Sequence, residues 1–489
     1  MIDTVQLSDL SSRRRSILFV TPLAAAPAFF IFLSVCAALY ANTFMPPVAA
    51  VTSALLLSCA FALFCTRFAA GGYIHVLALT VAFSLCLSSY AVYGINKKIT
   101  FPNSIKTTGS VTYSRKWGRS NAVVIDTQYG KTVAYVKPDE TPRDGSSVFL
   151  DAAAFDFKRA AKDGGFDEML YWRAKGAVRK LVIVKMKETE PPRGIPAWRA
   201  KLYRRIENVL PPLSAKYMAA FTVGTREKSI EKIHRTAGTS HLLAVSGLHV
   251  WIVAGIMVML LRNSFLKFIG VSGFVWLYLL ISGLPVGGVR AAVMLQLMLL
   301  SMAIGRPNEA FNNVSIAGIL IIAANPWSFF DVGFRLSMLC ALFIASAGHF
   351  MKGNFMHLTA MSVMIWFVTA PTVTKAFGEA PLAGLALNII AVPVFGVVFP
   401  IILILSMPSL LGLPLASVFA GISEFILSGF QYFTEFGASV FTGAVASHTA
   451  LSVVSILLFS AACAMRCGSG TRRAAFVSLF CIFLYGVIS

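Results

Sequence analysis

Ser246 and His249 stand three residues apart within Gly238-Thr239-Ser240-His241-Leu242-Leu243-Ala244-Val245-Ser246-Gly247-Leu248-His249-Val250. On a helix that spacing puts both side chains on one face. A serine sharing a face with a histidine meets the first requirement for an activated nucleophile. His241 falls about two turns before His249, roughly on the same side. No Gly-x-Ser-x-Gly elbow surrounds Ser246, however, and a serine in an apolar helix serves equally in helix packing. The stretch opens an apolar run that ends near Leu261. Polar groups at membrane depth are costly, so they mark function by default. Gly247, Gly255, Ala244 and Ala254 lower the profile of the segment and let another helix approach closely. The residues leave three readings open: a Ser/His hydrolase within the membrane, a polar lining for a wet path, or passive packing.

Other polar residues in the apolar half are few. Arg290, in Gly287-Gly288-Val289-Arg290, opens another apolar helix, where an arginine either snorkels to the interface or meets a phosphate. Asp331 and Arg335 have the i,i+4 spacing of an ion pair. Asn388 and Pro393 interrupt an apolar run and suggest a broken helix. All eight cysteines lie in or beside apolar runs, and Cys463 and Cys467 flank Arg466 without further ligands. No zinc spacing, disulfide framework or phosphate loop is visible. The chain is therefore expected to have no catalytic residue, no metal, no cofactor and no ATP hydrolysis of its own.

The elements that must position these residues are membrane helices. The chain has 489 residues, 57% hydrophobic and 13% charged, with a mean hydropathy of +0.74. Soluble domains carry about a quarter charged residues. Apolar runs near 17–41, 45–66 and 73–95 are followed by a polar region. Ten more runs begin at 241, 265, 289, 312, 331, 357, 380, 413, 446 and 472. About 20 apolar residues span a bilayer, so these predict roughly 10–13 crossings. The run at 312–324 is short enough to be re-entrant or interfacial. Arg13-Arg14-Arg15 before the first run place the N-terminus in the cytoplasm and the region after the third run outside. Strict alternation from there puts Arg262, Lys267, Arg306, Lys352, Arg466, Arg472 and Arg473 in the cytoplasm.

Residues 97–192 form the only soluble-like region. They carry 18 basic and 11 acidic side chains, and residues 193–235 carry 10 and 3, which together make two thirds of the net charge of +21. A basic surplus outside the membrane runs against positive-inside bias, so it suits a polyanion. Short strand signals at Val111–Tyr113, Ala122–Ile125, Val133–Val136, Val148–Leu150 and Leu181–Val184 predict a five-stranded barrel of the OB kind. Trp117 among Arg115, Lys116 and Arg119 has the composition of a base-stacking, phosphate-attracting surface, or of a solvated turn with a half-buried ring. Pro191-Pro192 and Pro196 form a stiff linker. Beyond it, apolar and basic residues recur at helical spacing, as in an interfacial amphipathic helix or an arginine-lined channel mouth.

The run from Ala220 to Ile256 resembles the signature of the ComEC family, the inner-membrane proteins of natural DNA transformation. Gly224-Thr225-Arg226, Ala237-Gly238-Thr239-Ser240 and His241 through His249 carry it. Further landmarks are similar: Gly288-Val289-Arg290, Gly305-Arg306, Asn325-Pro326, Gly333-Phe334-Arg335-Leu336-Ser337 and Asn388 with Pro393. Phe166-Asp167 with Tyr171 and Gly176 resembles the close of the family's N-terminal domain. The likeness covers about residues 20–440. Many members read Gln where Arg335 stands. Members often carry a C-terminal metallo-β-lactamase-like domain, whereas no His-x-His-x-Asp-His run occurs here, so this reads as a short form.

The reading is a polytopic α-helical membrane protein with a small OB-like β-barrel. Its expected parts are N-terminal transmembrane helices (1–96), the barrel (97–192), basic amphipathic helices (193–235) and a competence-type channel domain (236–489). Arg115, Lys116, Trp117 and Arg119 are the DNA-binding candidates. His241, Ser246, His249, Arg290, Asp331, Arg335 and Asn388 are the channel-lining ones. The resemblance implies translocation of single-stranded DNA across the inner (plasma) membrane. Expected partners are single-stranded DNA, membrane lipids, a periplasmic DNA-binding competence protein, a separate nuclease and a cytoplasmic ATP-driven helicase or translocase. The alternatives are an anionic-substrate or lipid transporter and the hydrolase.

Overall fold

The computed structural model describes residues 27–66, 74–97, 100–159, 166–261, 263–304, 310–347, 355–446, 451–458 and 461. Arg13–Arg15, Arg262, Arg306, Lys352, Cys463, Arg466, Cys467, Arg472 and Arg473 lie outside those residues. The chain divides into two units, residues 98–304 with 376–446, and the remainder.

In the latter unit, α1 (Pro27–Ala41), α2 (Pro47–Thr66) and α3 (Ile74–Asn96) follow the first three apolar runs. A Ser34–Ser58 hydrogen bond of 2.7 Å ties α1 to α2. The helix α12 (Ala310–Ala324) packs on α1, where a Cβ on Gly318 would lie 2.5 Å from the Phe32 ring. Beyond it come a 3-10 turn (Pro326–Phe330), α13 (Val332–Ala347) and α14 (Phe355–Phe377).

The other unit opens with the barrel. Its strands are β1 (Ser104–Trp117), β2 (Ser120–Thr127), β3 (Gly130–Val136), β4 (Ser147–Phe155) and β5 (Arg179–Glu190). They close in the order β1-β2-β3-β5-β4, with β3 and β5 parallel. All five strand signals fall on these strands. The long β1 pairs with β4 through its first half and β2 through its second, with an irregularity at Val111/Tyr113. Such a kink lets one strand turn a barrel corner. Alternating residues, among them Ile105, Val111, Val123, Ile125, Val148 and Leu150, fill the interior. A second apolar layer lies outside β2 and β3, where Ala122, Val124 and Val133 meet Trp172 and Ala177 beside the short helix α4 (Glu168–Ala174).

After the barrel come α5 (Gly194–Val209), α6 (Pro212–Met218), a π-helical turn (Ala219–Val223) and α7 (Lys228–Thr236). The basic amphipathic stretch is thus several short helices. The signature stretch is also broken: α8 (Ser240–Leu243) stops at Ala244, and α9 (Gly247–Leu260) starts anew. His241 and His249 therefore do not ride one continuous helix, as their spacing suggested. Two hairpins complete the unit, α10 (Ser264–Ser282) with α11 (Val286–Ala303), and α15 (Ala383–Leu411) with α16 (Ala416–Val440). Despite Asn388 and Pro393, α15 runs unbroken for 29 residues. Among the described residues four helices are long and apolar enough to cross a membrane, and six shorter apolar helices accompany them. The protein is a polytopic helical membrane protein carrying a five-stranded barrel.

Candidate nucleic-acid interface and membrane motif

The β1–β2 hairpin ends in Trp117-Gly118-Arg119. Gly118 takes φ +60 with open space around its Cβ position, as a tight turn requires. Arg115, Lys116 and Arg119 are exposed. Trp117 is only partly exposed, because it packs 5.3–5.6 Å from Phe166, Tyr171 and Trp172. It is the floor of an aromatic cluster rather than a free platform. The exposed ring is Phe166, at 60%. Lys175 sits 4.3 Å above the Tyr171 ring, a cation–π geometry. Phe166 and Tyr171 were legible in the sequence only as family landmarks. Their meeting with Trp117 depends on α4 folding back over the sheet.

A half-buried polar network fixes α4. Asp167 caps it by accepting from the Leu170 amide at 2.8 Å. Trp172 Nε1 donates to the Tyr135 hydroxyl at 2.8 Å, and that hydroxyl donates to Glu168 at 2.7 Å. Lys180 lies 3.3 Å from the same carboxylate. Burial alone would raise Glu168. The bonds from Tyr135 and the Lys158 amide, with the charge of Lys180, take it below its ordinary value instead. Tyr113, behind the hairpin, is pushed up to about 12, first by burial and then by Tyr171, against Arg115 and Arg199.

Arg226 of Gly224-Thr225-Arg226 belongs to this basic region. Burial holds its guanidinium below the ordinary value, Glu231 opposes that, and the positive charge of Arg115 adds to it. Arg226 lies 4.0 Å from Glu231. Gly224 takes φ +74 at the end of the π-helical turn, where a Cβ would meet the Ser282 carbonyl at 2.8 Å. The first motif therefore packs its glycine against the hairpin end at Ser282.

In the second motif, Ser246 precedes the first turn of α9 and His249 reaches back to it. The Ser246 amide donates to His249 Nδ1 at 3.3 Å, and the two side chains lie 3.2 Å apart. This is a capping box with histidine where Glu or Gln is usual. His249 is fully buried against Phe221, Phe395 and Phe399, at centroid distances of 5.6, 5.1 and 4.6 Å. Among the described residues its Nε2 has no hydrogen-bond partner. The hydrogen bonds of the ring run, among the described residues, only to Ser246, not to a carboxylate as in a triad. His241 is exposed, Arg290 is buried on α11, and Asn388 is half-buried on α15. A further histidine, His234, was not singled out from the sequence. Its Nε2 lies 2.8 Å from the Tyr217 hydroxyl and its Nδ1 2.7 Å from Thr239 Oγ1, with all three residues buried. This network holds the Gly238-Thr239 turn against α6.

Asp331 and Arg335 belong to the other unit, and they do not form the ion pair their spacing suggested. Asp331 lies just before α13 and accepts from the Phe334 amide at 2.9 Å. Arg335 donates from Nε to the Phe329 carbonyl at 3.0 Å and lies 5.2 Å from that residue's ring centroid. Each group is satisfied locally, the acid as a helix cap and the base on a turn.

A membrane bundle with an OB-like barrel and a glycine- and histidine-bearing break between α8 and α9 defines the class. Residues 222–472 match the family model described as Competence protein. That is just over half of the chain, which belongs to this family. ComE operon protein 3 of Bacillus subtilis (strain 168) is 27% identical over 198 residues, covering 38% of this chain and 26% of that protein. An uncharacterized protein of Aquifex aeolicus (strain VF5) is 26% identical over 229 residues, covering 45% of this chain and 54% of that one. The aligned chain thus spans about a quarter and about half of these relatives. No solved structure matches.

Proposed function

We propose that this chain carries single-stranded DNA across the bacterial inner membrane into the cytoplasm during natural transformation. The observation that supports this best is the barrel tip. Exposed Arg115, Lys116 and Arg119 adjoin an aromatic cluster whose outer ring, Phe166, is free to stack. Cations gain affinity for phosphates by releasing counterions. An exposed ring gains only from a base out of its duplex stack. Together they favour single strands. Membership of the competence family supplies the transport setting. The barrel faces outward in this reading, and the strand passes from it toward the bundle that holds the α8–α9 break. The chain acts as a channel rather than an enzyme. A periplasmic DNA-binding protein, a separate nuclease and a cytoplasmic ATP-driven translocase supply capture, strand separation and pull.

The test is a transformation assay in a competent host. A strain lacking the gene should still bind DNA at its surface but admit none to the cytoplasm. An R115Q/K116Q/R119Q chain at parental abundance should admit less DNA. Undiminished transformation in the deletion strain would refute the reading.

A further inference from the structure

The two hairpins of the barrel-bearing unit turn through the same tripeptide, Gly283-Leu284-Pro285 and Gly412-Leu413-Pro414. The two preceding helices end through the same bonds, although Leu284 itself takes φ +53 while in the second turn it is Leu415 that takes φ +63. Gly283 and Gly412 take φ +86 and +71. The Leu284 amide donates to the Leu279 carbonyl at 2.8 Å, and the Leu413 amide donates to the Pro408 carbonyl at 2.8 Å. The Gly283 amide reaches Leu280 at 3.3 Å, and the Gly412 amide reaches Ser409 at 3.3 Å. These are the paired bonds of a Schellman ending.

Each ending is then clasped by an arginine of α5. Arg199 Nε donates to the Ile281 carbonyl at 2.8 Å, and Arg205 Nε donates to the Leu410 carbonyl at 2.5 Å. Both carbonyls stand two residues before the glycine. Arg199 Nη2 also donates to Val223 at 3.0 Å. The last carbonyls of a helix lack partners within it and carry the negative end of its dipole. A guanidinium answers both needs with one rigid fork. The sequence suggested an interfacial helix or an arginine-lined channel mouth; within that helix Arg199 and Arg205 bind helix-end carbonyls. The start of α5 is tied to the barrel, because the Arg193 amide donates to the Gly145 carbonyl at 2.8 Å. A Cβ on Gly145 would also lie 2.7 Å from the Ala197 amide nitrogen.

We propose that α5 is a yoke. It holds the two Gly-Leu-Pro turns on one face of the membrane and ties both to the barrel, with Arg199 and Arg205 as the positioning residues. Six residues along a helix are about 9 Å. Even with the reach of two arginine side chains, that falls short of the roughly 30 Å of hydrocarbon between opposite faces. Strict alternation of the apolar runs puts the two turns on opposite faces, since α11 to α15 intervene. A shared face requires an even number of crossings between the turns, so an odd number of those five helices does not cross. Among their described residues α12 is the shortest, at 15 residues or about 22 Å. The role of the yoke in transport rests on the DNA reading above, whereas its geometry does not.

The test uses the full-length chain. With its own cysteines replaced, L284C and L413C sit at turn positions that are 45% and 49% exposed in the parent. An impermeant maleimide should label both from the same side of the membrane. Labelling from opposite sides overturns the proposal. Hydrogen exchange in nanodiscs reads the coupling. Either R199Q or R205Q should speed exchange at both turns by about tenfold, the size expected on losing a charge-assisted hydrogen bond, and R199K and R205K should do so less. An effect confined to the nearer turn, or none, overturns the yoke. Transformation by R199Q/R205Q at parental abundance should fall, and an unchanged frequency overturns the positioning role. A parent chain that moves no DNA would sink the transport reading, while the labelling and exchange results would still decide the yoke.

Discussion

Gly238 and Gly384 meet backbone to backbone. A Cβ on Gly238 would lie 2.6 Å from the Gly384 Cα, and Gly238 itself takes φ +68. The signature glycine is therefore fixed twice, by the left-handed turn before α8 and by its approach to the start of α15. Overpacking costs about 1–3 kcal/mol, and a left-handed residue bearing a Cβ costs about 1–2 kcal/mol more. Gly238→Ala should therefore lower the melting temperature of the purified protein strongly. Gly255→Ala, where nothing lies within 4 Å of the added carbon, should leave it nearly unchanged. Equal effects would show that this contact is not what demands glycine.

Charge and stacking separate at the barrel tip. Each phosphate contact on a single strand contributes about 0.7 to the slope of log K against log salt. Removing Arg115, Lys116 and Arg119 together should flatten that slope by as much as about 2. Phe166→Ala should weaken binding by about 1–3 kcal/mol and leave the slope unchanged. Both are measured by titrating fluorescent single-stranded DNA onto the full-length protein at several salt concentrations. A slope that moves with Phe166→Ala would mean the ring acts by holding the cations rather than by stacking.

The barrel was legible because its signal is local. Alternation along β1 and the other strands records which side chains face inward, and turn residues mark the ends. The membrane helices were legible for the same reason, since an apolar run of sufficient length declares itself. The site was less so. Trp117 stood out beside its arginines, but the depth of its burial depends on Tyr171 and Trp172 arriving more than fifty residues later. The break at Ala244–Ser246 was hidden because a continuous apolar run looks the same whether one helix or two carries it. Asp331 and Arg335 show the converse error. Their i,i+4 spacing presumes that both lie within a helix, whereas Asp331 precedes α13 and caps it. His234 gave no signal, because Tyr217 and Thr239 become its partners only when α6 and α7 pack together.

Ser246→Ala distinguishes a cap from a nucleophile. As a cap, Ser246 leaves a stability cost of about 1 kcal/mol when removed, and transport by the surviving protein stays near the parental level. His249→Phe should be worse, because it deletes the acceptor for the Ser246 amide while keeping a ring in the Phe221–Phe395–Phe399 cage. Thermal unfolding and transformation frequency, both normalised to protein level, make the comparison. A mild stability change with complete loss of function in Ser246→Ala would favour covalent chemistry at that hydroxyl.

Glu188 should make the barrel sensitive to acid. Arg143 holds this carboxylate with its amide at 2.7 Å and its side chain at 2.9 and 3.2 Å. Those bonds, chiefly from the guanidinium, take Glu188 below its ordinary value against a smaller opposing effect of burial. A group depressed in the folded state stabilises fully above its unfolded pKa of about 4.3 and loses that contribution as pH falls through its folded value. Glu188→Gln should therefore speed hydrogen exchange across 143–147 at neutral pH. Its difference from the parent should begin to shrink as pH drops below about 4.3 and vanish once pH is below the depressed folded value, where both side chains are neutral. Subtracting the two pH series removes other carboxylates such as Glu168, which both proteins share. A difference that stays constant across the acid range would assign the stability of this corner to the shape of the Arg143 loop rather than to the charge that Glu188 carries.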